Sequence, residues 1–261
     1  MNTSLEGKTA VIGGSTQGIG LAIAHELASL GATCILLARN EQTLQAVVTA
    51  LPTPHYQPHQ YKVADFSNPD NVRQAITAIV AKGPVHILVN NTGGPPPGPV
   101  AEAEEGSFLA AFNQHLICNQ ILVKAILPSM KEAKYGRIIN IISTSVRIPV
   151  RNLGVSNTIR GAVASWAKTM SNEVAQFGIT VNNILPGYTK TQRLDSLIQS
   201  NASKRKVDTA VIEQEMLSEI PAKRFGEAEE IAAVAAFLAT PAAAYLNGVS
   251  IPVDGGKTGV I

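Results

Sequence analysis

A glycine-rich turn between a short apolar strand and a helix is the feature that most constrains how this chain can fold. Residues 13–20 have the sequence GGSTQGIG and directly follow the apolar residues 9–12. Glycines allow the backbone to approach a pyrophosphate closely, and the N-terminus of the following helix attracts its negative charge. The spacing of Gly14, Gly18 and Gly20 differs from the commonest dinucleotide fingerprint. This turn therefore predicts a nucleotide site only together with the motifs that follow it.

Runs typical of strands alternate with helical patterns from one end of the chain to the other. The strand-like runs are continuously apolar, which indicates parallel strands that are buried on both faces. Helices between successive strands favour a mostly parallel, doubly wound α/β sheet with a helical layer on each side. The predicted strands are residues 9–12, 33–37, 61–64, 86–90, 137–143, 180–185 and 249–253.

The composition excludes several classes of protein. Among the 261 residues, 45% are hydrophobic and 15% are charged, which favours a large core and argues against long disorder. The net charge is +2 and no long run of lysine and arginine occurs, so a nucleic-acid partner is not expected. The histidines lack the spacing of metal ligands, so a metal site is not expected either.

The predicted location is the cytoplasm. Cys34 and Cys118 lie far apart in apolar stretches, which is typical of buried free thiols in a reducing compartment. A strand pattern begins near residue 8, which leaves no room for a signal peptide. The longest apolar run, residues 231–239, is too short to span a bilayer, so no membrane partner is expected.

The order and spacing of six motifs point to a known family. They are GGSTQGIG, Asp65-Phe66, LVNNTG at 88–93, GRIINIIS at 136–143, NNILPGYTKT at 182–191 and SIPVDGG at 250–256. Over about residues 5–256 the chain resembles the classical short-chain dehydrogenase/reductase family. The resemblance implies one Rossmann-like domain over residues 1–261, with a seven-stranded parallel sheet in the order 3-2-1-4-5-6-7 inside three α/β/α layers. It also implies a nicotinamide cofactor and self-association to a homotetramer or homodimer.

The end of the second predicted strand decides between the two nicotinamide cofactors. An acidic residue there would bind the ribose 2′-hydroxyl of NAD, whereas a nearby arginine accepts the 2′-phosphate of NADP. The sequence continues Leu37-Ala38-Arg39-Asn40, with no carboxylate and with a guanidinium suited to phosphate. NADP(H) is therefore expected rather than NAD(H), the alternative being that Arg39 is an ordinary surface arginine. The expected cofactor contacts, including those that only the resemblance implies, are Gly14, Ser15, Thr16, Gln17, Gly18, Ile19, Gly20, Arg39, Asp65, Phe66, Asn91, Gly93, Arg160, Thr189 and Thr191.

The resemblance also implies four catalytic positions, and this chain keeps the family residue at one of them. Family members use a serine that holds the substrate oxygen, a tyrosine that passes a proton, a lysine four residues later, and an asparagine that organises water. Ser143 matches the serine. The family spacing places Ser156 at the tyrosine, Arg160 at the lysine and His115 at the asparagine. The chain is therefore identified as an atypical member that lacks the catalytic tyrosine and lysine.

Losing the tyrosine changes what the site can do. An aliphatic hydroxyl is a far weaker acid than a phenol with a pKa of about 10, so Ser156 cannot simply replace it. Arg160 can bind the ribose but stays protonated. A missing general acid costs about 10²- to 10⁴-fold in rate. Two other groups are candidate proton donors: His115, whose side chain ordinarily titrates near working pH, and Tyr188.

Three functions stay open on the sequence. The leading hypothesis is an oxidoreductase that acts on a carbonyl or alcohol, with 3-oxoacyl groups as one candidate substrate, through a non-standard Ser143–Ser156–Arg160 site. The second is a non-redox enzyme, either a lyase or a dehalogenase. Halohydrin dehalogenases resemble this family and pair a serine with an arginine, but they keep the tyrosine and lack the cofactor glycines. The third is an NADP-binding protein without turnover.

Further segments are expected to shape the protein around this site. Residues 190–222 are polar and amphipathic and interrupt the alternation of strands and helices, as a substrate lid or a surface excursion would. By the resemblance, helices near residues 102–133 and 155–177 pair across a subunit interface. Four basic side chains are expected near the mouth of the site: Arg147, Arg151, Lys190 and Arg193. They either attract an anionic small-molecule substrate or are ordinary surface charge.

Overall fold

A seven-stranded sheet forms the centre of the computed structural model, which describes residues 1–260. Every neighbouring pair of strands is parallel, and the order is β3-β2-β1-β4-β5-β6-β7, as predicted. The last residue of the predicted domain, Ile261, lies outside the described residues. The strands are β1 (Thr9–Gly13), β2 (Thr33–Ala38), β3 (Gln60–Val63), β4 (Ile87–Asn90), β5 (Gly136–Ile141), β6 (Ile179–Pro186) and β7 (Ser250–Val253).

Helices cover both faces of the sheet because neighbouring strand residues point to opposite sides. Ala10 and Ile12 of β1 pack into one apolar cluster, while Val11 between them packs into the other. This arrangement confirms the three-layer, doubly wound α/β fold. The helices are α1 (Gly18–Ser29), α2 (Glu41–Ala50), α3 (Pro69–Val80), α4 (Glu105–Phe112), α5 (Cys118–Glu132), α6 (Gly154–Val174), α7 (Gln192–Arg205), α8 (Thr209–Ser218) and α9 (Ala228–Ala239).

A π-helical turn divides the long helical region that follows β4. The turn spans Asn113–Ile117 and joins α4 to α5. Such turns are rare in helices and often occur at functional sites. This turn buries His115, one of the expected catalytic residues.

The polar segment after β6 folds into the two helices α7 and α8. The side chains of Thr191 and Asp208 cap them by accepting hydrogen bonds from backbone N–H groups in their first turns. The helices pack together through a small apolar cluster of their own, apart from the two large clusters. The residues of this cluster are Leu194, Ile198, Ala202, Ile212 and Met216.

Both cysteines are free and buried, as expected. Burial raises the pKa of the Cys34 thiol to about 12, and burial raises that of Cys118 to about 11. These thiols are therefore protonated at neutral pH and pack as small apolar groups. In the 260 residues described, no helix has both the length and the hydropathy to cross a membrane.

Candidate functional site

A deep crevice opens at the carboxyl edge of the sheet, where consecutive strands deliver their loops to one place. Its volume is about 1220 Å³, and its walls come from the glycine turn after β1 and the segments that follow β2 to β6. A typical small-molecule pocket has roughly 300–1,000 Å³. This crevice therefore has room for a large ligand, or for a cofactor together with a substrate.

The glycine turn forms the floor of the crevice and is held against β4. Gly14 and Gly18 have backbone φ angles of +56° and +53°, in the left-handed region that favours glycine. The side-chain amide of Asn91 donates to the carbonyls of Gly13 and Gly14 at 3.1 and 3.2 Å. A Cβ on Gly20 would lie 2.6 Å from the same amide nitrogen. The N-terminus of α1 is thus fixed at the crevice, where it favours an anion such as a pyrophosphate.

Two residues that were expected to contact a cofactor do not line the crevice. Ser15 is fully buried, and its hydroxyl donates to the carbonyl of Leu37 at 3.4 Å. Gly20 faces the carbonyl of Gly14 inside the turn. These two residues therefore pack behind the turn, and whether they contact a cofactor stays a prediction. The turn residues that do line the crevice are Gly14, Thr16, Gln17, Gly18 and Ile19.

Arg39, Asp65 and Phe66 line the end of the crevice near β2 and β3. Asp65 accepts a hydrogen bond of 2.9 Å from the backbone N–H of Ser67. This bond, with a smaller contribution from the positive charge of Arg39, lowers the pKa of Asp65. Within residues 1–260, Arg39 forms no ion pair, so its guanidinium is free to meet an anionic group.

The loops after β4 and β6 form opposite walls of the crevice. Gly93 lies on the β4 side, and Thr189 and Thr191 lie on the β6 side. A Cβ on Gly18 would lie 3.1 Å from the Thr191 methyl carbon, so the β6 loop reaches the glycine turn. The structure therefore brings these expected cofactor residues together around one space.

Ser143 and Arg160 line the crevice beside the end of β5. The Oγ of Ser143 accepts a hydrogen bond of 3.1 Å from the backbone N–H of Ser145. Arg160 extends from α6, and its Nη1 donates to the carbonyl of Ile141 at 2.8 Å. Burial, and next the charge of Arg193, lower the pKa of Arg160 to about 10. The guanidinium therefore stays protonated at neutral pH.

Ser156 is buried in the first turns of α6 and does not line the crevice. In this region the crevice is lined by residues 148–153, which precede α6. A serine side chain ends at its Oγ, so it does not extend as far as a phenol would. The structure therefore places Ser156 behind the crevice lining, and its expected role in the site stays a prediction.

His115 is buried, and its hydrogen-bond partner lines the crevice. Its Nδ1 shares a hydrogen bond of 2.7 Å with Oγ1 of Thr92. Burial, followed by the charges of Arg160 and Arg193, lowers the pKa of His115 to about 3. The expectation that this histidine titrates near working pH is therefore wrong, and its imidazole is neutral at pH 7.

A ladder of asparagines, which sequence reasoning missed, leads to His115. The amide of Asn90 donates to Asn140 at 2.8 Å, and the amide of Asn140 donates to Asn183 at 2.9 Å. Oδ1 of Asn90 and Nε2 of His115 have no partner among the described residues, and both residues line a cavity of about 10 Å³. This volume suits about one water molecule. The signal in the sequence is an asparagine within each of three apolar strands, in register across the sheet.

Tyr188 lines the crevice but is a poor proton donor. The Lys257 ammonium lies 4.7 Å from the centre of its ring, and the Phe225 ring packs edge-on with centroids 6.4 Å apart. Burial raises the pKa of Tyr188 more than Lys257 lowers it. The phenol therefore lacks the lowered pKa that a general acid–base residue needs near neutral pH.

The low pKa of His115 predicts a loss of stability in acid. In the unfolded chain the histidine has a pKa of about 6.5 and binds a proton below that pH. In the folded protein His115 binds this proton only near pH 3, so acid favours the unfolded chain. Between pH 7.5 and 4.5 this site should lower the free energy of unfolding by about 2–3 kcal/mol. His115→Gln removes the titration, so its unfolding curves in urea should show a correspondingly smaller change. Parallel pH dependences for the variant and the parent protein would contradict the assignment.

The basic side chains expected at the mouth divide into two groups. Lys190 pairs with Glu227, and Arg147 lies 3.5 Å from the carbonyl of Ser250, so these two are engaged elsewhere. Arg151 and Arg193 line the crevice. Arg193 donates from Nη1 to the carbonyl of Gly94 at 3.2 Å and from Nη2 to that of Pro95 at 3.1 Å.

The parallel sheet, the glycine turn and the crevice at the strand ends define a dinucleotide-binding, Rossmann-like α/β protein. A family profile described as enoyl-(acyl carrier protein) reductase matches residues 14–258. The chain therefore belongs to the short-chain dehydrogenase/reductase family, as its motifs predict.

Three known proteins illustrate the likeness. The 3-oxoacyl-[acyl-carrier-protein] reductase FabG of Vibrio cholerae is 35% identical over 97% of this chain and 98% of its own length. The NADPH-dependent reductase BacG of Bacillus subtilis is 30% identical over 96% of this chain and 97% of its own. The solved L-sorbose reductase from Gluconobacter frateurii, complexed with NADPH and L-sorbose, has a TM-score of 0.91 and 28% identity, with all of both chains covered.

Proposed function

We propose that this protein is an NADP(H)-dependent oxidoreductase that interconverts a carbonyl and an alcohol. The observation that carries the proposal is one crevice whose lining includes the glycine turn, Arg39 and Ser143. The crevice combines the glycine turn at the N-terminus of α1, which favours an anion and is called the anion cradle below, with the Arg39 cation after β2 and the Ser143 hydroxyl after β5. The names of BacG and of L-sorbose reductase, which refer to NADPH and to reduction, support the same function.

The residues present fit NADP. Gly14 and Gly18 line the crevice at the N-terminus of α1, where a pyrophosphate would bind, and Arg39 offers a cation for the 2′-phosphate. The lowered pKa keeps Asp65 ionised as an acceptor for the adenine amino group. The β6-side residues Thr189 and Thr191 would contact the nicotinamide amide. When bound, this cofactor supplies or accepts a hydride.

The chain's own residues act on the substrate oxygen. The hydroxyl of Ser143 donates to the carbonyl oxygen, and the protonated guanidinium of Arg160 favours the negative charge that develops there during reduction. Neither His115, which is neutral at pH 7, nor Tyr188, with its raised pKa, is suited to give up a proton. We therefore assign the proton to water in the open crevice, which makes the reaction slower than one with a phenol donor.

We also propose a substrate lid and self-association of the protein. Leu194, Leu197 and Met216 of α7 and α8 line the crevice, which supports a substrate lid formed by residues 190–222. Leu109 and Phe112 of α4 are exposed apolar side chains, which supports self-association to a dimer or tetramer through the helices near residues 102–133 and 155–177.

Arg39→Ala tests the cofactor choice. The unchanged protein should bind NADPH at least about tenfold more tightly than NADH, because the guanidinium makes charge-assisted hydrogen bonds with the 2′-phosphate. Arg39→Ala should erase this difference by weakening NADPH binding and leaving NADH binding unchanged. Nicotinamide fluorescence measures both dissociation constants. Arg73→Ala, at an exposed position on α3 outside the crevice, is the matched control, and equal affinities for both nucleotides in the unchanged protein would refute the proposal.

A further inference from the structure

Two guanidinium groups converge on one point of the crevice wall. A Cβ built on Gly94 would lie 3.0 Å from Nη2 of Arg193 and 3.5 Å from Nη2 of Arg160. Arg160 reaches this point from α6, and Arg193 reaches it from α7 on the opposite wall. The two cations thus meet although like charges repel each other.

Among the residues that the structure describes, no acidic side chain forms an ion pair with either guanidinium. By contrast, Arg205 and Lys257, which also line the crevice, pair with Glu215 and Glu219. Arg160 is only 9% exposed, and within residues 1–260 its guanidinium makes one hydrogen bond, from Nη1 to the carbonyl of Ile141. A buried charge without a partner is costly, so a bound anion would relieve both desolvation and repulsion.

The phosphates of the proposed cofactor do not account for the pair. The 2′-phosphate belongs at Arg39 after β2, and the pyrophosphate belongs at the glycine turn after β1. Arg160 is held by Ile141 at the end of β5. In the order β2-β1-β4-β5 this end lies three strand spacings, about 14 Å, from the end of β2. The pair therefore stands in the half of the crevice that also contains Ser143.

We propose that Arg160 and Arg193 together bind a carboxylate of the substrate, so that the substrate is an oxo acid or the corresponding hydroxy acid. This inference rests on the proposed function for the reaction, but the anion site itself does not require turnover. The carboxylate accepts hydrogen bonds from Nη2 of both arginines, in the charge-assisted geometry that guanidinium groups favour. The carbonyl to be reduced then lies towards Ser143.

Calorimetric titration with malonate tests the site in the protein saturated with NADPH and in the protein alone. Malonate should bind the unchanged protein, and Arg193→Gln should weaken its binding at least about tenfold, because a charge-assisted hydrogen bond is lost. Arg193→Lys, which keeps the charge, should retain most of the affinity. Arg151→Gln removes the same charge from another part of the crevice lining, so it should change the affinity far less. The neutral diamide malonamide should give no heat.

The outcomes separate this proposal from its rivals. If malonate does not bind at millimolar concentrations, or binds Arg193→Gln unchanged, the carboxylate site is refuted. If Arg193→Gln weakens NADPH tenfold and leaves malonate binding unchanged, the pair serves a cofactor phosphate instead. If Arg151→Gln weakens malonate binding as much as Arg193→Gln does, the general positive charge of the crevice attracts malonate, and the proposed direct contact with Arg160 and Arg193 is refuted. Malonate binding in a protein that never binds NADPH would support the anion site while refuting the proposed function.

Discussion

Replacing Ser156 by tyrosine and Arg160 by lysine in the same chain should raise the rate of carbonyl reduction by about 10²- to 10⁴-fold. Ser156 does not line the crevice, whereas a phenol at the same position is long enough to extend towards it. Lysine at position 160 keeps a positive charge, which would lower the pKa of the new phenol. Oxidation of NADPH at 340 nm with a panel of carbonyl compounds, including 3-oxoacyl thioesters and oxo acids, measures the gain.

Ser156→Phe with Arg160→Lys is the matched control for this experiment. It adds the same ring without the hydroxyl, so it should show no gain if proton transfer is the missing step. Equal rates for the tyrosine and phenylalanine variants, in folded proteins that bind NADPH as the parent does, would contradict the assigned cause of slow turnover.

Gly20→Ala should destabilise the protein by about 3 kcal/mol or more and abolish the thermal stabilisation that NADPH confers. The added Cβ would lie 2.6 Å from the Asn91 amide and closer still to the carbonyl of Gly14, and these groups fix the turn. The turn can accept the methyl group only by moving away from β4, which opens the anion cradle. Thermal unfolding with and without NADPH measures both effects.

Gly161→Ala is the matched control, because it makes the same glycine-to-alanine change and should raise the stability of the protein. Gly161 lies inside α6, and a Cβ there would meet nothing within 4 Å. Alanine should therefore stabilise the protein by about 0.5–1 kcal/mol, because it restricts the unfolded chain and favours the helix. Similar destabilisation by both substitutions would show that the glycine turn has no special packing requirement.

The fold could be predicted because its signals are local and repeated. Most strands are apolar runs and most crossovers have helical spacing, which predicts a mostly parallel sheet, while the strand order came from the family resemblance of the motifs. The positions of Arg39 and Ser143 in the crevice also followed, because parallel strands bring their carboxyl ends to one edge.

The individual roles of site residues could not be predicted, since they depend on packing. The sequence motif cannot show that the hydroxyl of Ser15 turns to Leu37. The pKa of His115 depends on its burial and on two arginines that are distant in the sequence. Ser156 is buried while residues 148–153 just before it line the crevice, and this depends on how α6 and that loop pack. Such three-dimensional contacts have no periodic signature in a single sequence.

Transfer of deuterium tests the central claim most directly. The unchanged protein is incubated with NADPH carrying deuterium at one face of C4 and with the carbonyl panel, and the products are analysed by mass spectrometry and NMR. The proposed function predicts an alcohol that carries deuterium from one face of the nicotinamide, together with one equivalent of NADP. Product formed while the nucleotide stays unchanged would indicate a lyase or dehalogenase, and bound NADPH without any product would indicate a binding protein. Either result would contradict the oxidoreductase.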